Sequence, residues 1–247
     1  MYSSILILFT VAFSAGLFAL YLPKTSTGLY KLALVFAGSY LFSITIVHIL
    51  PELFFQDINP GVLGVFTLGG FFLQQGLDFL SKGVEHGHIH VHNTSHHHES
   101  NSALWVVIAL SVHSLLEGGM LARSTAVVHQ HNSNTLLWGI IIHKAPEAFA
   151  LMSVLVCFLA RKSVAVLYLI IFALASPVGL LLSDYLLSTE LMSPRSFTYL
   201  LAVVSGNFLH ISTTIVFESS ADHSFNSRKM GIAVLAAVMA VMAELFL

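Results

Sequence analysis

The stretch ALWVVIALSVHSLLEGGMLA, residues 103–122, decides the fold, because it is almost wholly apolar and yet contains a histidine and a glutamate. Its length matches the ~20 residues that an α-helix needs to cross ~30 Å of hydrocarbon. Similar apolar blocks cover residues 3–22, 32–50 and 61–80. We therefore predict membrane-spanning helices rather than the strands of a soluble core.

The composition of the whole chain agrees with a membrane protein. Of its 247 residues, 56% are hydrophobic and 9% are charged, whereas a soluble domain carries roughly 25% charged residues. The formal net charge is -2 and no basic stripe is present, which argues against a nucleic-acid partner. Cys157 is the one cysteine of the chain, which excludes a disulfide framework and a thiolate metal cluster. Any metal ligands must therefore be histidine, carboxylate or hydroxyl groups.

We predict an all-α polytopic membrane protein with eight transmembrane helices, which form a single transmembrane domain over residues 1–247. The apolar lengths and the breaks between them place the spans at residues 3–22, 31–52, 61–81, 103–123, 136–159, 163–187, 197–218 and 229–247. Lys and Arg are retained in short cytoplasmic loops, and their distribution predicts that both termini lie outside. Arg123 and Arg195 fall on the outer side, against a larger inner set: Lys24, Lys31, Lys82, Arg161, Lys162, Arg228 and Lys229.

Residues 82–102, between spans three and four, form a predicted cytoplasmic loop that is rich in histidine. This loop holds half of the chain's 14 histidines, namely His86, His88, His90, His92, His96, His97 and His98. A tract of this density is typical of metal binding, because neutral imidazole ligates Zn²⁺, Cu²⁺ and Ni²⁺. The alternative interpretation is a solvated linker.

Two His-x-x-x-Glu motifs lie inside predicted spans, where each ionisable side chain costs roughly 2.5–3.5 kcal/mol on insertion scales. Residues four apart share one helix face, so each motif offers an imidazole and a carboxylate in the same direction. Spans four and five are joined by a short segment, which predicts antiparallel neighbours whose motifs meet near the midplane. The predicted ligands of one metal ion, for which zinc is well suited, are His113, Glu117, His143 and Glu147. The alternative is that the paired side chains only hold helices together.

Other polar residues in the spans are candidates for a metal pathway. His48 and Glu52 form a third His-x-x-x-Glu motif at the end of span two, where they would face outward and line an entrance. Asn207 and His210 lie in an unusually polar part of span seven and could line an exit. For the residues at a helix end, simple contact with water is the alternative.

Three motifs together resemble the signature of the ZIP (Zrt/Irt-like) divalent metal transporters. They are HILPE at 48–52, HSLLEG at 113–118 and HKAPE at 143–147, with the histidine-rich loop before the second. The resemblance covers the whole eight-span layout, outside termini included. It implies a bundle in which spans one to three and six to eight form an inverted repeat. It also implies transport of zinc, iron, manganese or cadmium toward the cytoplasm, in several members by an elevator-like shift of one helix group.

The chain departs from that signature at positions where many relatives hold a second metal ion. Ser114, Lys144 and Ser176 stand where those relatives have asparagine, an acidic residue and glutamate. An ammonium group ~4 Å from a second cation would repel it by several kcal/mol at an effective dielectric near 20. We therefore predict a site for one metal ion, with Lys144 as a counter-charge to Glu117 or Glu147. The alternative is that Lys144 points away toward the interface.

The resulting prediction is import of a divalent transition-metal ion, with Zn²⁺ as the transported substrate and no enzymatic activity. Fe²⁺, Mn²⁺ and Cd²⁺ also accept histidine and glutamate ligands. The alternatives are a membrane metal sensor without flux and an intramembrane metalloenzyme, which would normally show a His-Glu-x-x-His motif or a separate base. The predicted surroundings are the lipid bilayer of the cytoplasmic membrane, with a homodimer as one assembly that the chain could form.

Overall fold

The computed structural model describes residues 2–21, 27–81, 99–122, 133–218 and 227–246. These residues form eight helices and no strand. The helices are α1 (Tyr2–Phe18), α2 (Thr27–Ile44, continued by Thr45–Ile49 and Leu50–Phe54), α3 (Pro60–Ser81), α4 (Glu99–Met120), α5 (Ser133–Phe158), α6 (Lys162–Ser188), α7 (Pro194–Glu218) and α8 (Ser227–Phe246). Each helix corresponds to one predicted span.

Five helical stretches within the described residues are long and apolar enough to cross a membrane: Lys31–Phe54, Pro60–Leu80, Ala103–Met120, Leu136–Phe158 and Lys162–Ser188. The all-α, polytopic fold is therefore confirmed. α1 is apolar but has 17 residues, α7 contains many polar residues, and α8 holds three charged residues, Arg228, Lys229 and Glu244. The count of eight crossings and the outside termini stay predictions.

The helix boundaries differ from those predicted by hydropathy by up to four residues. α1 ends at Phe18 and is followed by tight turns over residues 19–21. α4 begins at Glu99, so that residues 99–102, which we assign to the histidine-rich loop, are helical. A helix can continue beyond its apolar segment, because its backbone hydrogen bonds are made within the helix itself.

The middle of α2 is widened into a π-helical turn at Thr45–Ile49. The backbone N–H of Leu50 donates to the carbonyl oxygen of Thr45, five residues earlier. Pro51 follows immediately, and a proline ring inside a helix clashes with the carbonyl four residues before it. Because a π-turn moves that carbonyl outward, it accommodates the proline, and such turns often occur at functional sites.

The helices pair in a pattern that an inverted repeat would produce. α3 packs along α7 as α8 packs along α2, and α4 packs against α6 as α5 packs against α1. Exchanging helices one to three with six to eight, and four with five, converts each pair into the other. The exchanged helices run in opposite directions across the bundle, because their positions in the order of helices differ by an odd number, five or one. This packing supports the repeat that the ZIP resemblance implies.

Glycine residues allow α4 and α6 to approach closely. A Cβ atom on Gly118 of α4 would collide with the carbonyl oxygen of Ser176 on α6, and one on Gly179 of α6 would collide with the carbonyl oxygen of Leu115. Small residues at crossings of membrane helices serve this purpose. As a result, the backbones of α4 and α6 are in contact beside the His-x-x-x-Glu motif of α4.

The apolar core of the described residues consists of several clusters, and the two largest each join four or more helices. One cluster joins α1, α4, α5 and α6 through buried side chains such as Ala12, Val107, Leu151 and Leu169. A second cluster, which joins α1, α2, α5 and α7, includes Leu8, Leu41, Ile140 and Phe208. Large apolar side chains also point outward, for example Phe72 and Phe79 of α3. Such a surface suits lipid better than water.

Candidate metal centre

The two His-x-x-x-Glu motifs meet between α4 and α5. His113 and Glu117 lie one turn apart on α4, and His143 and Glu147 lie one turn apart on α5. One ligand atom from each of the four residues lies within 4.8 Å of every other. All four side chains are buried, with exposures of 0–1%. The structure therefore brings the four predicted ligands to one point, as the helical spacing indicates.

Glu117 is at the centre of this group. Its Oε1 atom lies 3.0 Å from Nε2 of His113 and 4.0 Å from Nε2 of His143. The two imidazole rings stand nearly perpendicular, with an angle of 86° and 6.0 Å between their centroids. In both rings it is the Nε2 atom that lies nearest to Oε1 of Glu117. A cation shared by these residues requires such a convergence of ligand atoms.

The ammonium group of Lys144 lies between the two carboxylates. Its Nζ atom donates to Oε2 of Glu117 at 2.5 Å and to Oε2 of Glu147 at 2.8 Å. The side chain is 1% exposed, so it does not reach toward the interface. Nζ also lies 4.8 Å from the centroid of the Phe172 ring. Lys144 therefore contacts both carboxylates rather than one, and its role as a counter-charge stays a prediction.

The chemistry of the group fits a divalent transition metal. Two imidazole nitrogens and two carboxylates are common zinc ligands, at roughly 2.0–2.2 Å from the ion. Tetrahedral geometry at these lengths separates ligand atoms by roughly 3.4 Å, which is shorter than the 4.8 Å that encloses the group. The four side chains would therefore draw together by about 1 Å around an ion.

Ser114 and Ser176 join α4 to α6 instead of pointing at the ligand group. Their hydroxyl oxygens are 2.8 Å apart, and the hydroxyl of Ser176 donates to the backbone carbonyl of Ser114 at 2.9 Å. Both residues are buried, with exposures of 0% and 1%. At these two altered positions a second ion would find no carboxylate. It would find only hydroxyl groups that already form hydrogen bonds.

His48 and Glu52 lie apart from the four-residue group. Nε2 of His48 is 3.6 Å from Oε2 of Glu52, and its Nδ1 is 2.8 Å from Oε1 of Glu244 on α8. Sequence reasoning missed Glu244, although an acidic residue inside the apolar last helix was a signal for it. The third motif therefore connects α2 to α8, and its role in an entrance stays a prediction.

Asn207 and His210 face α3. Nε2 of His210 lies 3.7 Å from Oδ2 of Asp78, and its ring contacts the edge of Phe71. With its amide nitrogen directed at α3, Asn207 donates to the carbonyl oxygen of Gly70 at 2.6 Å. Asp78 was also missed, although it is an acidic residue within a predicted span. These residues bind α7 to α3, and an exit role for them stays a prediction.

Residues 82–98 of the histidine-rich loop lie outside the described residues, and they include all of its histidines: His86, His88, His90, His92, His96, His97 and His98.

Comparison with known proteins adds an independent line of evidence. Residues 80–243 match the family described as ZIP Zinc transporter. The chain is similar to "Zinc transporter ZIP1" of Danio rerio, with 28% identity over 142 residues, which cover 57% of this chain and 44% of that protein. It is also similar to "Protein zntD" of Dictyostelium discoideum, with 29% identity over 153 residues, 59% of this chain and 22% of that protein. The aligned region thus spans less than half of either relative.

Proposed function

Because the chain belongs to the ZIP zinc transporter family, we propose that it carries a divalent transition-metal ion, zinc before others, across the cytoplasmic membrane toward the cytoplasm. The family is one of transporters rather than enzymes. The observation that carries the proposal is the convergence of four buried side chains from α4 and α5, with ligand atoms within 4.8 Å of one another. In this proposal the ion binds to His113, Glu117, His143 and Glu147.

The burial of these residues favours transport over a merely structural contact. Ionisable side chains at membrane depth are costly and mark ion pathways or proton relays. A hydrated ion that reaches the site exchanges waters for two imidazoles and two carboxylates. Because no thiolate takes part, the site binds less permanently than the closed cysteine cages of structural zinc. Reversible binding is what a transport site needs, and Fe²⁺, Mn²⁺ and Cd²⁺ are further substrates that these ligands accept.

The site is proposed to hold one ion at a time. At the three altered positions, Ser114 and Ser176 supply hydroxyl groups that are hydrogen-bonded to each other, and Lys144 supplies an ammonium group. A second divalent ion near that ammonium would meet repulsion instead of a ligand. Titration of the purified protein with Zn²⁺ should therefore give one tight site in the bundle, whereas two coupled ions between α4 and α5 would contradict this part of the proposal.

The proposed direction, toward the cytoplasm, is the one that the ZIP resemblance implies, and the distribution of basic residues gives the orientation of the chain. Seven basic residues fall in the loops that we assign to the cytoplasm and two in the outer loops. In this orientation the histidine-rich segment 82–102 would receive the ion on the inner side. A homodimer in the cytoplasmic membrane is the proposed assembly.

Metal flux into proteoliposomes tests the function. The purified chain is reconstituted and supplied with Zn²⁺, Fe²⁺, Mn²⁺ and Cd²⁺ in separate experiments, and uptake is followed with time. We expect saturable uptake, highest for Zn²⁺, that falls to the level of empty vesicles in Glu147→Ala. Asp57→Ala is the matched control, because Asp57 is an exposed carboxylate between α2 and α3 and its loss should leave uptake unchanged. Saturable binding without uptake would instead identify a metal sensor.

A further inference from the structure

We propose that Lys144 is an exchangeable internal cation: its ammonium group pairs with Glu117 and Glu147 when no metal is bound, and the incoming ion displaces it. This inference rests on the proposed function, since it concerns how the same site loads and empties. It assigns Lys144 a part in setting the affinity for the metal and the rate of its release.

The first step is that the ammonium and the metal compete for the same two carboxylates. Nζ of Lys144 contacts Oε2 of Glu117 at 2.5 Å and Oε2 of Glu147 at 2.8 Å. Both residues belong to the four-residue group that offers ligands. An ion bound to both carboxylates would lie between them, at roughly 2.0–2.2 Å from each oxygen, where the ammonium lies. One of the two cations must leave.

The second step is that the ammonium can leave without losing its proton. The lysine side chain is a flexible four-carbon stem, and Nζ already lies 4.8 Å from the centroid of the Phe172 ring on α6. The face of an aromatic ring attracts a cation when both are desolvated. The backbone carbonyl oxygen of the same Phe172 lies 3.5 Å from the Ser114 hydroxyl. A charged Lys144 that leaves the carboxylates thus has the Phe172 ring close by, on a residue whose backbone contacts α4.

The third step concerns the empty site. Breaking a buried ion pair by removing one partner is strongly destabilising, because the other charge stays buried and uncompensated. When the metal departs, Lys144 returns to Glu117 and Glu147, so that the two carboxylates are never left without a cation. The return of the ammonium group both promotes release of the metal ion and weakens its binding. Removing the ammonium should therefore tighten metal binding and slow turnover.

The test measures Zn²⁺ binding by competition with a chelator, and Zn²⁺ uptake into proteoliposomes, for the full chain and three variants. For Lys144→Met we expect a Kd and a KM at least tenfold lower than native, with a lower maximal uptake rate. For Lys144→Arg we expect a higher KM, because a guanidinium pairs with carboxylates in a bidentate way. Lys162→Met, at the exposed start of α6, is the matched control and should leave both constants unchanged.

The outcomes separate this inference from the proposed function. If folded Lys144→Met binds Zn²⁺ with native or weaker affinity while the native chain transports, the exchange is overturned and the transport site stands. If the native chain neither binds nor transports Zn²⁺, both fail. Recovery of folded Lys144→Met only in the presence of Zn²⁺ supports the exchange, because the metal then replaces the ammonium. If that variant never folds, Lys144→Arg decides, and a native KM for it overturns the proposal.

Discussion

Replacing Gly118 with alanine tests whether the close crossing of α4 and α6 holds the metal centre in place. The added Cβ would collide with the carbonyl oxygen of Ser176, whereas a carbon and a carbonyl oxygen need roughly 3.3 Å between them. The two helices must therefore separate by about 1 Å or more. That shift lengthens the contact between the Ser114 and Ser176 hydroxyls, now 2.8 Å, and moves Glu117 relative to α5.

The expected magnitude follows from these contacts. Overpacking of a tight interior costs about 1–3 kcal/mol, and each weakened hydrogen bond between the helices adds about 0.5–1.5 kcal/mol. A total of about 2–4 kcal/mol corresponds to a fall in Tm of about 5–15 °C for a chain of this size. Thermal unfolding in detergent, followed by tryptophan fluorescence, measures the change, and Zn²⁺ uptake should fall with it.

Gly76→Ala on α3 is the matched control. An added Cβ there meets no atom within 4 Å, so the same substitution should leave Tm unchanged or raise it slightly, because alanine favours a helix more than glycine does. A Gly118→Ala variant with native Tm and native uptake would refute the close crossing. An equal loss in both variants would show that the effect comes from glycine in general and not from this contact.

Three further predictions concern bonding, metal binding and topology. Ser176→Ala removes the donor to the Ser114 carbonyl and should lower stability by about 1–3 kcal/mol with Zn²⁺ affinity retained; a tenfold weaker Kd at unchanged Tm would make the hydroxyls ligands instead. Zn²⁺ at 100 times its Kd should stabilise the native chain by about 2.7 kcal/mol, seen as a rise in Tm that a chelator reverses; an unchanged Tm contradicts binding to the folded state. In a chain whose Cys157 is replaced by serine, an impermeant maleimide should label Ser193→Cys in intact cells and Lys162→Cys only after permeabilisation, and the reverse pattern would invert the topology.

Much of the fold and of the metal centre could be predicted from the sequence because both depend on local geometry. Apolar blocks of about 20 residues set the length of each helix, and the described helices match the predicted spans to within a few residues. The spacing of four residues placed His113 with Glu117 and His143 with Glu147 on their helix faces. Each of these inferences needs only neighbours along one helix.

The contacts between helices are the part that the sequence left open. Glu244 and His48 are 196 positions apart in the chain, and no local pattern indicates that α8 passes beside the π-turn of α2. The partner of His210 on α3, Asp78, was missed for the same reason. Lys144 shows the same division. The motif revealed that a lysine stands at this position, but it did not reveal whether the ammonium group contacts one carboxylate, both or neither.

The sequence by itself determined that this chain is a bundle of apolar helices with imidazole and carboxylate pairs on two of them, because helix periodicity and hydrophobic length are properties of single segments. Only the tertiary structure decided that both pairs face one point, that an ammonium group joins the two carboxylates, and that the hydroxyls of Ser114 and Ser176 bond to each other between two helices. The physical reason is that helix crossings are set by the summed packing of many small contacts, such as glycine against a carbonyl oxygen. Those contacts involve residues that are far apart in the chain.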